Sequence, residues 1–147
     1  MIAIAASPYN SREYPAAEQG FGGGGEAFGG QGQEHEPVID LVHLSRQTFS
    51  DQALEVELLD LFDRQSARIV AQLREAGAGD GKIRGDLAHM LRGSALAVGA
   101  GRVARMAQIY ETRCAAAARG PAATAALEAL AGAVAEARAT IAQLLAH

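Results

Sequence analysis

The sequence predicts an all-α protein: an antiparallel, up-down-up-down four-helix bundle with a short extra N-terminal helix. Alanine, the best helix former and a poor strand former, supplies 27 of residues 38–147. Apolar residues in the same range recur at helical spacing in four long segments. The connections between these segments are short, which favours antiparallel neighbours.

Residues 1–37 differ in composition from the rest of the chain. They contain one basic and five acidic residues and so carry the whole net charge of −4, whereas residues 38–147 are balanced. Eight of the 17 glycines lie between Gly20 and Gly32, and the apolar content is too low to offset the chain entropy. We predict a disordered, Gly-rich acidic tail over 1–37 and one domain over 38–147. Alternatively, Phe21 and Phe28 form a short docking peptide.

The first two predicted helices begin the domain. A brief helix covers the apolar segment Ile39–Leu44. The second helix begins after an N-cap at Ser50 or Asp51 and runs to Glu75. Its apolar stripe comprises Leu54, Val56, Leu58, Leu59, Leu61, Phe62, Ile69, Val70 and Leu73. The segment Gly77–Gly81 is predicted to be a turn.

Three more helices complete the prediction. The third runs from Ile83 to Val98 and is closed by Gly99 and Gly101. The fourth runs from Arg102 to Arg119 and ends at Gly120-Pro121. The fifth covers Ala122–Leu145, with an inner face marked by Leu127, Leu130, Val134, Ile141, Leu144 and Leu145.

His89 is predicted to point away from the core. With successive residues turning by about 100°, the buried face of the third helix consists of Leu87, Leu91, Ser94 and Val98. The residues on the same side as His89 are Gly85, Asp86, Arg92, Gly93 and Leu96.

The surroundings of His89 are unusual for an exposed helical face. Gly85 and Gly93 lie one turn before and one turn after it, although glycine within a helix costs about 0.5–1 kcal/mol relative to alanine. Glycine there leaves room for a large group to approach the imidazole. Arg92 places beside the ring a positive charge that favours the neutral imidazole and attracts phosphate oxygens. Leu96 has no evident core to fill, which indicates a partner surface.

These features are typical of a nucleophilic histidine that receives a phosphoryl group from another protein. The alternative is a solvated surface histidine with an arginine nearby by chance. Neither spacing nor charge decides between the two, because short motifs produce false matches.

The segment Ala88-His89-Met90-Leu91-Arg92-Gly93-Ser94-Ala95, followed by Val98-Gly99, resembles the signature of histidine-containing phosphotransfer (HPt) domains. That signature is His-x-x-Lys/Arg-Gly-Ser/Ala, with a glycine ten residues after the histidine. The resemblance extends over about residues 38–145.

The resemblance implies a role for each matching residue. His89 matches the phosphorylated residue, Arg92 the basic position that neutralises the phosphoryl group, and Gly93 the glycine that makes room for the partner. Ser94 matches a small polar position to which we assign packing. Glu111 lies where some family members have a glutamine that supports the histidine; a glutamate there can accept a hydrogen bond from the ring N–H. Gly85 and Leu96 are expected to contact the partner.

The resemblance also implies partners. His89 would accept a phosphoryl group from a receiver domain of a hybrid histidine kinase and pass it to an aspartate of a response regulator. No cofactor is expected on this chain, because the receiver holds the Mg²⁺. No ATP binding is expected either, since Gly22–Gly25 lacks the context of a phosphate loop. Two alternatives remain: a binding module that docks receiver domains without transfer, and a fragment of a chemotaxis-type kinase.

Other function classes fit poorly. The small net charge argues against nucleic-acid binding. No stretch of eighteen apolar residues exists, and the N-terminus makes a poor signal peptide, so we expect a cytoplasmic, membrane-free protein. Metal ligation is not expected from the four histidines and the single Cys114; Cys114 is predicted to pack among alanines, with redox sensing as the alternative.

His43 is predicted to be a surface or cap residue and Tyr110 a packing residue at the surface. No heptad pattern argues for a coiled-coil dimer, and we expect a monomer.

Overall fold

Asp40, the first strong capping residue of the domain, marks where regular structure begins. The computed structural model describes residues 36–75, 81–116 and 120–146. Within these ranges all regular structure is helical, which confirms the all-α prediction. The helices are α1 (Leu41–Gln47), α2 (Gln52–Glu75), α3 (Gly81–Val98), α4 (Gly101–Ala116) and α5 (Pro121–Leu145). The tail predicted over 1–37 lies outside the described residues up to residue 35.

Helix α1 begins later than predicted. The Asp40 carboxylate accepts hydrogen bonds from the backbone N–H groups of Val42 and His43, which satisfies donors that lack partners within the helix. Ile39 therefore precedes the helix, although its side chain is buried. After the helix, the buried Thr48 donates its hydroxyl to the Leu44 carbonyl.

Helix α2 confirms Asp51 as the predicted N-cap, since its carboxylate accepts from the Leu54 N–H at 3.1 Å. The apolar stripe is narrower than predicted: Leu54, Val56 and Leu61 are exposed. Neighbouring helices cover only one side of α2. The buried apolar residues of α2 are Leu59, Phe62, Ile69, Val70 and Leu73.

The junction between α3 and α4 contains a glycine that the fold requires. Gly99 has a φ of +83°, in the left-handed region that ends many helices. A Cβ there would lie 2.8 Å from the Asp40 carbonyl oxygen. Gly101, predicted to close α3, instead begins α4. Gly81, predicted as part of a turn, is the first residue of α3, and the rest of that turn lies outside the described residues.

The long helices contact one another in a closed ring. Helix α3 packs on α2 and α4, and α5 packs on α4 and α2; α1 packs on α3. Exposed ion pairs join Arg138 to Asp63 and Arg74 to Glu128 between α5 and α2. The largest fully buried apolar side chains are Tyr110, Phe62, Leu44, Leu73, Leu91, Leu130, Ile141 and Val103. Many of the remaining buried residues are alanines, so the core is made of a few large side chains set among small ones.

Helix α5 buries Leu130, Val134 and Ile141 as predicted. Leu127, Leu144 and Leu145 are half-buried and pack against the same core. Among the helices that the model describes, none is both long enough and apolar enough to cross a membrane.

Candidate functional site

His89 lies in the middle of α3 with its side chain 68% exposed, which confirms the predicted outward direction. The most buried side of α3 is not centred on the residues that were predicted. Ala88 and Ala95 are fully buried together with Leu91 and Val98, whereas Leu87 and Ser94 are only half-buried. The small alanines allow α3 to pack closely on its neighbours, and His89 remains on the open side.

Helix α4 brings Glu111 to the histidine ring. The Glu111 Oε2 lies 3.3 Å from Nδ1 of His89, and the Glu111 side chain is 34% exposed. When the imidazole is neutral, this contact favours the tautomer that donates Nδ1–H to the carboxylate, because the partner of one ring nitrogen decides which nitrogen carries the proton. The Nε2 lone pair is then free. The contact also joins residues that are 22 positions apart in the sequence.

Arg92 supplies a positive charge one turn after His89. The half-buried guanidinium forms no ion pair or hydrogen bond with another side chain in the described part of the chain. Asp86, three residues before His89, accepts a hydrogen bond from Nζ of Lys82 at 2.8 Å. That hydrogen bond and the carboxylate charge raise the pKa of Lys82 above its ordinary value of 10.5. Asp86 is thus paired, while Arg92 can still bind an anion.

Gly85 and Gly93 flank the ring and face open space. A Cβ added at either position would meet no heavy atom within 4 Å. The packing of the domain therefore does not demand glycine at these two places. Glycine destabilises a helix interior by about 0.5–1 kcal/mol relative to alanine. The packing and the helical stability of the domain therefore do not explain why glycine rather than alanine stands at these two positions beside His89.

The apolar residue near His89 that is most exposed is not the predicted one. Leu96 is half-buried and packs against the core, which corrects the expectation that it has no core to fill. It lies three residues before Gly99, where α3 meets both α4 and the segment around Asp40. Met90, by contrast, is 50% exposed. The position of Met90 directly after the histidine is the sequence signal for an apolar contact residue.

A buried polar cluster lies beside the site. Tyr110, predicted to pack at the surface, is fully buried, and its hydroxyl accepts a hydrogen bond from Nη1 of Arg84 at 3.3 Å. Burial and a hydrogen bond with Cys114 raise the pKa of Tyr110 above its ordinary value of 10.0. Cys114 is itself buried, in keeping with the predicted packing role. His43 is half-buried in the first turn of α1. No sequence signal joins Arg84 to Tyr110, because they lie on different helices.

The arrangement suits nucleophilic chemistry by an imidazole. One ring nitrogen faces a carboxylate and the other has no partner among the described residues, while a cation and open space lie nearby on the same helix. Such an orienting partner is the usual way in which a weak nucleophile is prepared for group transfer. Within the described ranges, no three His, Cys, Asp or Glu side chains are grouped so that they could hold a metal ion.

No protein-family model matches this chain, and neither a curated protein nor a solved structure is detectably similar to it. The function must therefore be inferred from the residues themselves.

Proposed function

We propose that this chain is a histidine phosphotransfer protein: a phosphoryl carrier, without kinase activity of its own, that works in the cytoplasm as a monomer. His89 accepts a phosphoryl group from a receiver-domain aspartyl phosphate, for instance that of a hybrid histidine kinase, and passes it to an aspartate of a response regulator. The observation that carries the proposal is the 3.3 Å contact between Nδ1 of His89 and Glu111 on an otherwise exposed ring.

The packing of the helices supports the fold that this function needs. The closed ring of contacts among α2, α3, α4 and α5, with α1 against α3, is what an antiparallel four-helix bundle of HPt type requires. Such a bundle holds the histidine helix rigidly between two neighbours. The side of α3 that carries His89 then faces an incoming receiver domain.

Transfer to His89 is an in-line displacement. The Nε2 lone pair attacks phosphorus, the N–P bond forms as the aspartyl O–P bond breaks, and the electron pair of the broken bond returns to the aspartate. The ring gains positive charge, which the Glu111 carboxylate stabilises through the Nδ1–H hydrogen bond. Arg92 binds the phosphoryl oxygens. The Mg²⁺ that assists the displacement belongs to the receiver domain, and the reverse sequence of steps delivers the group to the next aspartate.

Phosphoryl transfer from a panel of donors tests this proposal. Purified protein, His89→Gln and the control His43→Gln are incubated with phosphorylated receiver domains and with kinase ATP-binding domains, and the helical fold of each variant is verified by circular dichroism. We expect acid-labile label on the wild type and on His43→Gln and none on His89→Gln. Label retained by folded His89→Gln contradicts the assignment. Label from kinase domains alone favours the chemotaxis-type alternative.

A second candidate is a helical module that docks receiver domains without accepting phosphate. The observation that favours it is the carboxylate of Glu111, which repels phosphoryl oxygens more than the glutamine found in some HPt domains. This candidate requires receiver binding, measured by calorimetry, with no label from any donor. Binding accompanied by His89-dependent label excludes it.

A further inference from the structure

We infer that the hydrogen bond between Arg84 and Tyr110 sets the register of α4 against α3 and thereby holds Glu111 at Nδ1 of His89. In this inference Tyr110 and Arg84 are positioning residues, because they act on His89 through Glu111. The inference rests on the proposed function only where it concerns the rate of phosphoryl transfer. The geometric claim concerns the state of the histidine ring and can be tested without any phosphodonor.

The two-residue connection Gly99-Ala100 fixes the position of α4 on α3 at one end, and buried alanines of both helices lie further along. Ala88 and Ala95 are the fully buried alanines of α3, and Ala104 and Ala107 are buried on α4. Methyl groups are small and alike, so these alanines discriminate weakly between neighbouring registers, and the larger buried Leu91 and Val103 leave room for a further contribution from polar contacts. Selecting one register among apolar alternatives is the best-attested specificity role of buried polar groups.

The polar cluster has the properties that such a selection requires. The Tyr110 ring is fully buried, and its hydroxyl accepts a hydrogen bond from Arg84 on α3. A slide of α4 along α3 would remove the Arg84 donor from this buried hydroxyl. Because a buried polar group that loses its partner is strongly unfavourable, the observed register is favoured over its neighbours.

The cluster acts on the site through the rigid backbone of α4. Tyr110 directly precedes Glu111, and Arg84 lies five residues before His89 on α3. A one-residue slip moves a helix by about 1.5 Å along its axis. The distance from Glu111 Oε2 to Nδ1 is 3.3 Å, just beyond the usual range of N–H···O hydrogen bonds, so a slip of that size is enough to break the contact.

The tautomer of His89 reports the contact directly. We would record long-range ¹H–¹⁵N spectra of the full chain, labelled at histidine, above the titration range of imidazole, and assign the His89 signals by their absence in His89→Gln. In the wild type we expect the Nδ1–H tautomer to dominate. In Tyr110→Phe, which keeps the ring and loses the hydroxyl, the share of that tautomer is expected to fall to the level of Glu111→Ala.

Two further variants keep the test decisive. Thr112→Val alters the residue that follows Glu111. The Thr112 hydroxyl donates to the Gln108 carbonyl of the same helix and to no other group in the described ranges, so this variant is expected to leave the tautomer unchanged. Arg84→Met removes the donor from the α3 side and serves if Tyr110→Phe does not fold. Wild-type tautomer shares in folded Tyr110→Phe or Arg84→Met, alongside a changed share in Glu111→Ala, overturn the inference. A tautomer shift without labelling of the wild type leaves the register inference intact and removes the proposed function.

Discussion

Two glycines of the same helical region, Gly93 within α3 and Gly99 just after it, have opposite surroundings. Gly99 has a positive φ, and a Cβ would lie 2.8 Å from the Asp40 carbonyl oxygen. Gly93 is helical, and a Cβ there would touch nothing within 4 Å. The fold explains the first glycine and not the second. On the proposed function, this difference separates a glycine that the fold requires from a glycine that leaves room for a partner.

The largest effect is expected at Gly99. Gly99→Ala combines the cost of a left-handed alanine with a collision against the Asp40 backbone, and we expect a loss of roughly 2–4 kcal/mol in the free energy of unfolding. Urea unfolding followed by circular dichroism measures it. The control is Gly132→Ala on α5, where a Cβ also meets open space. An unchanged free energy of unfolding in Gly99→Ala would contradict the claim that the fold requires glycine at this position.

Gly93→Ala tests the other half. The folded chain has room for the methyl group, so the free energy of unfolding should rise by about 0.5–1 kcal/mol. A methyl forced into a docked interface costs roughly 1–3 kcal/mol, which corresponds to about 5- to 150-fold weaker receiver binding. Calorimetric titration with the donor receiver measures the binding, and Gly132→Ala is expected to gain the same stability with unaltered affinity. Full affinity in Gly93→Ala would leave the glycine without an explanation.

Glu111 extends the comparison to a side chain that contacts His89. Glu111→Ala removes the acceptor that selects the reactive tautomer, a hydrogen bond worth about 0.5–1.5 kcal/mol, so labelling of His89 should slow by about 2- to 10-fold. Glu111→Gln keeps an acceptor and is expected to slow labelling less. Rapid-quench labelling from one receiver donor compares the variants. Equal rates for all three proteins would show that the contact has no part in transfer.

The smallest effect is expected for the pH dependence of the free energy of unfolding that the buried Tyr110 side chain causes. Burial raises its pKa above 10.0, so the folded chain keeps the phenol proton at a pH where the unfolded chain has lost it. The unfolded state then binds fewer protons, and the free energy of unfolding falls as the pH rises above 10.0. Below that pH the contribution is fully present. Urea unfolding on both sides of pH 10.0 should show a shallower decline in Tyr110→Phe than in the wild type; parallel declines would contradict the assignment.

The ends of the helices were predictable where the signal is local. The capping carboxylate of Asp51, the left-handed Gly99 and the Gly120-Pro121 pair each act on the neighbouring backbone, and the ends of α2, α3 and α5 at Glu75, Val98 and Leu145 agree with the prediction. Capping also explains the error at α1. The predicted helix over Ile39–Leu44 includes Asp40, whereas the Asp40 carboxylate caps the helix from outside.

The degree to which a side chain is buried was less predictable than the direction in which it points. Helical periodicity placed His89 outside correctly, because direction depends only on the turn per residue. It misjudged Leu61 and Leu96, because the exposure of a flanking residue depends on how far a neighbouring helix extends over it. Glu111 entered only through the family resemblance, and the contact between Arg84 and Tyr110 was not predicted at all, because both depend on the register of two helices.

The position of His89 along α3 has a consequence for how firmly a phosphoryl group is held. His89 is eight residues from the first residue of a helix that spans Gly81–Val98, and the helix macrodipole acts only within the terminal turns. Backbone N–H groups in mid-helix are occupied by carbonyls and offer an anion nothing. On the proposed function, the phosphoryl group therefore meets the Arg92 guanidinium and, among the described residues of α3, no backbone cradle such as helix N-termini provide. A group held so lightly leaves readily, which suits a carrier that must give up what it receives.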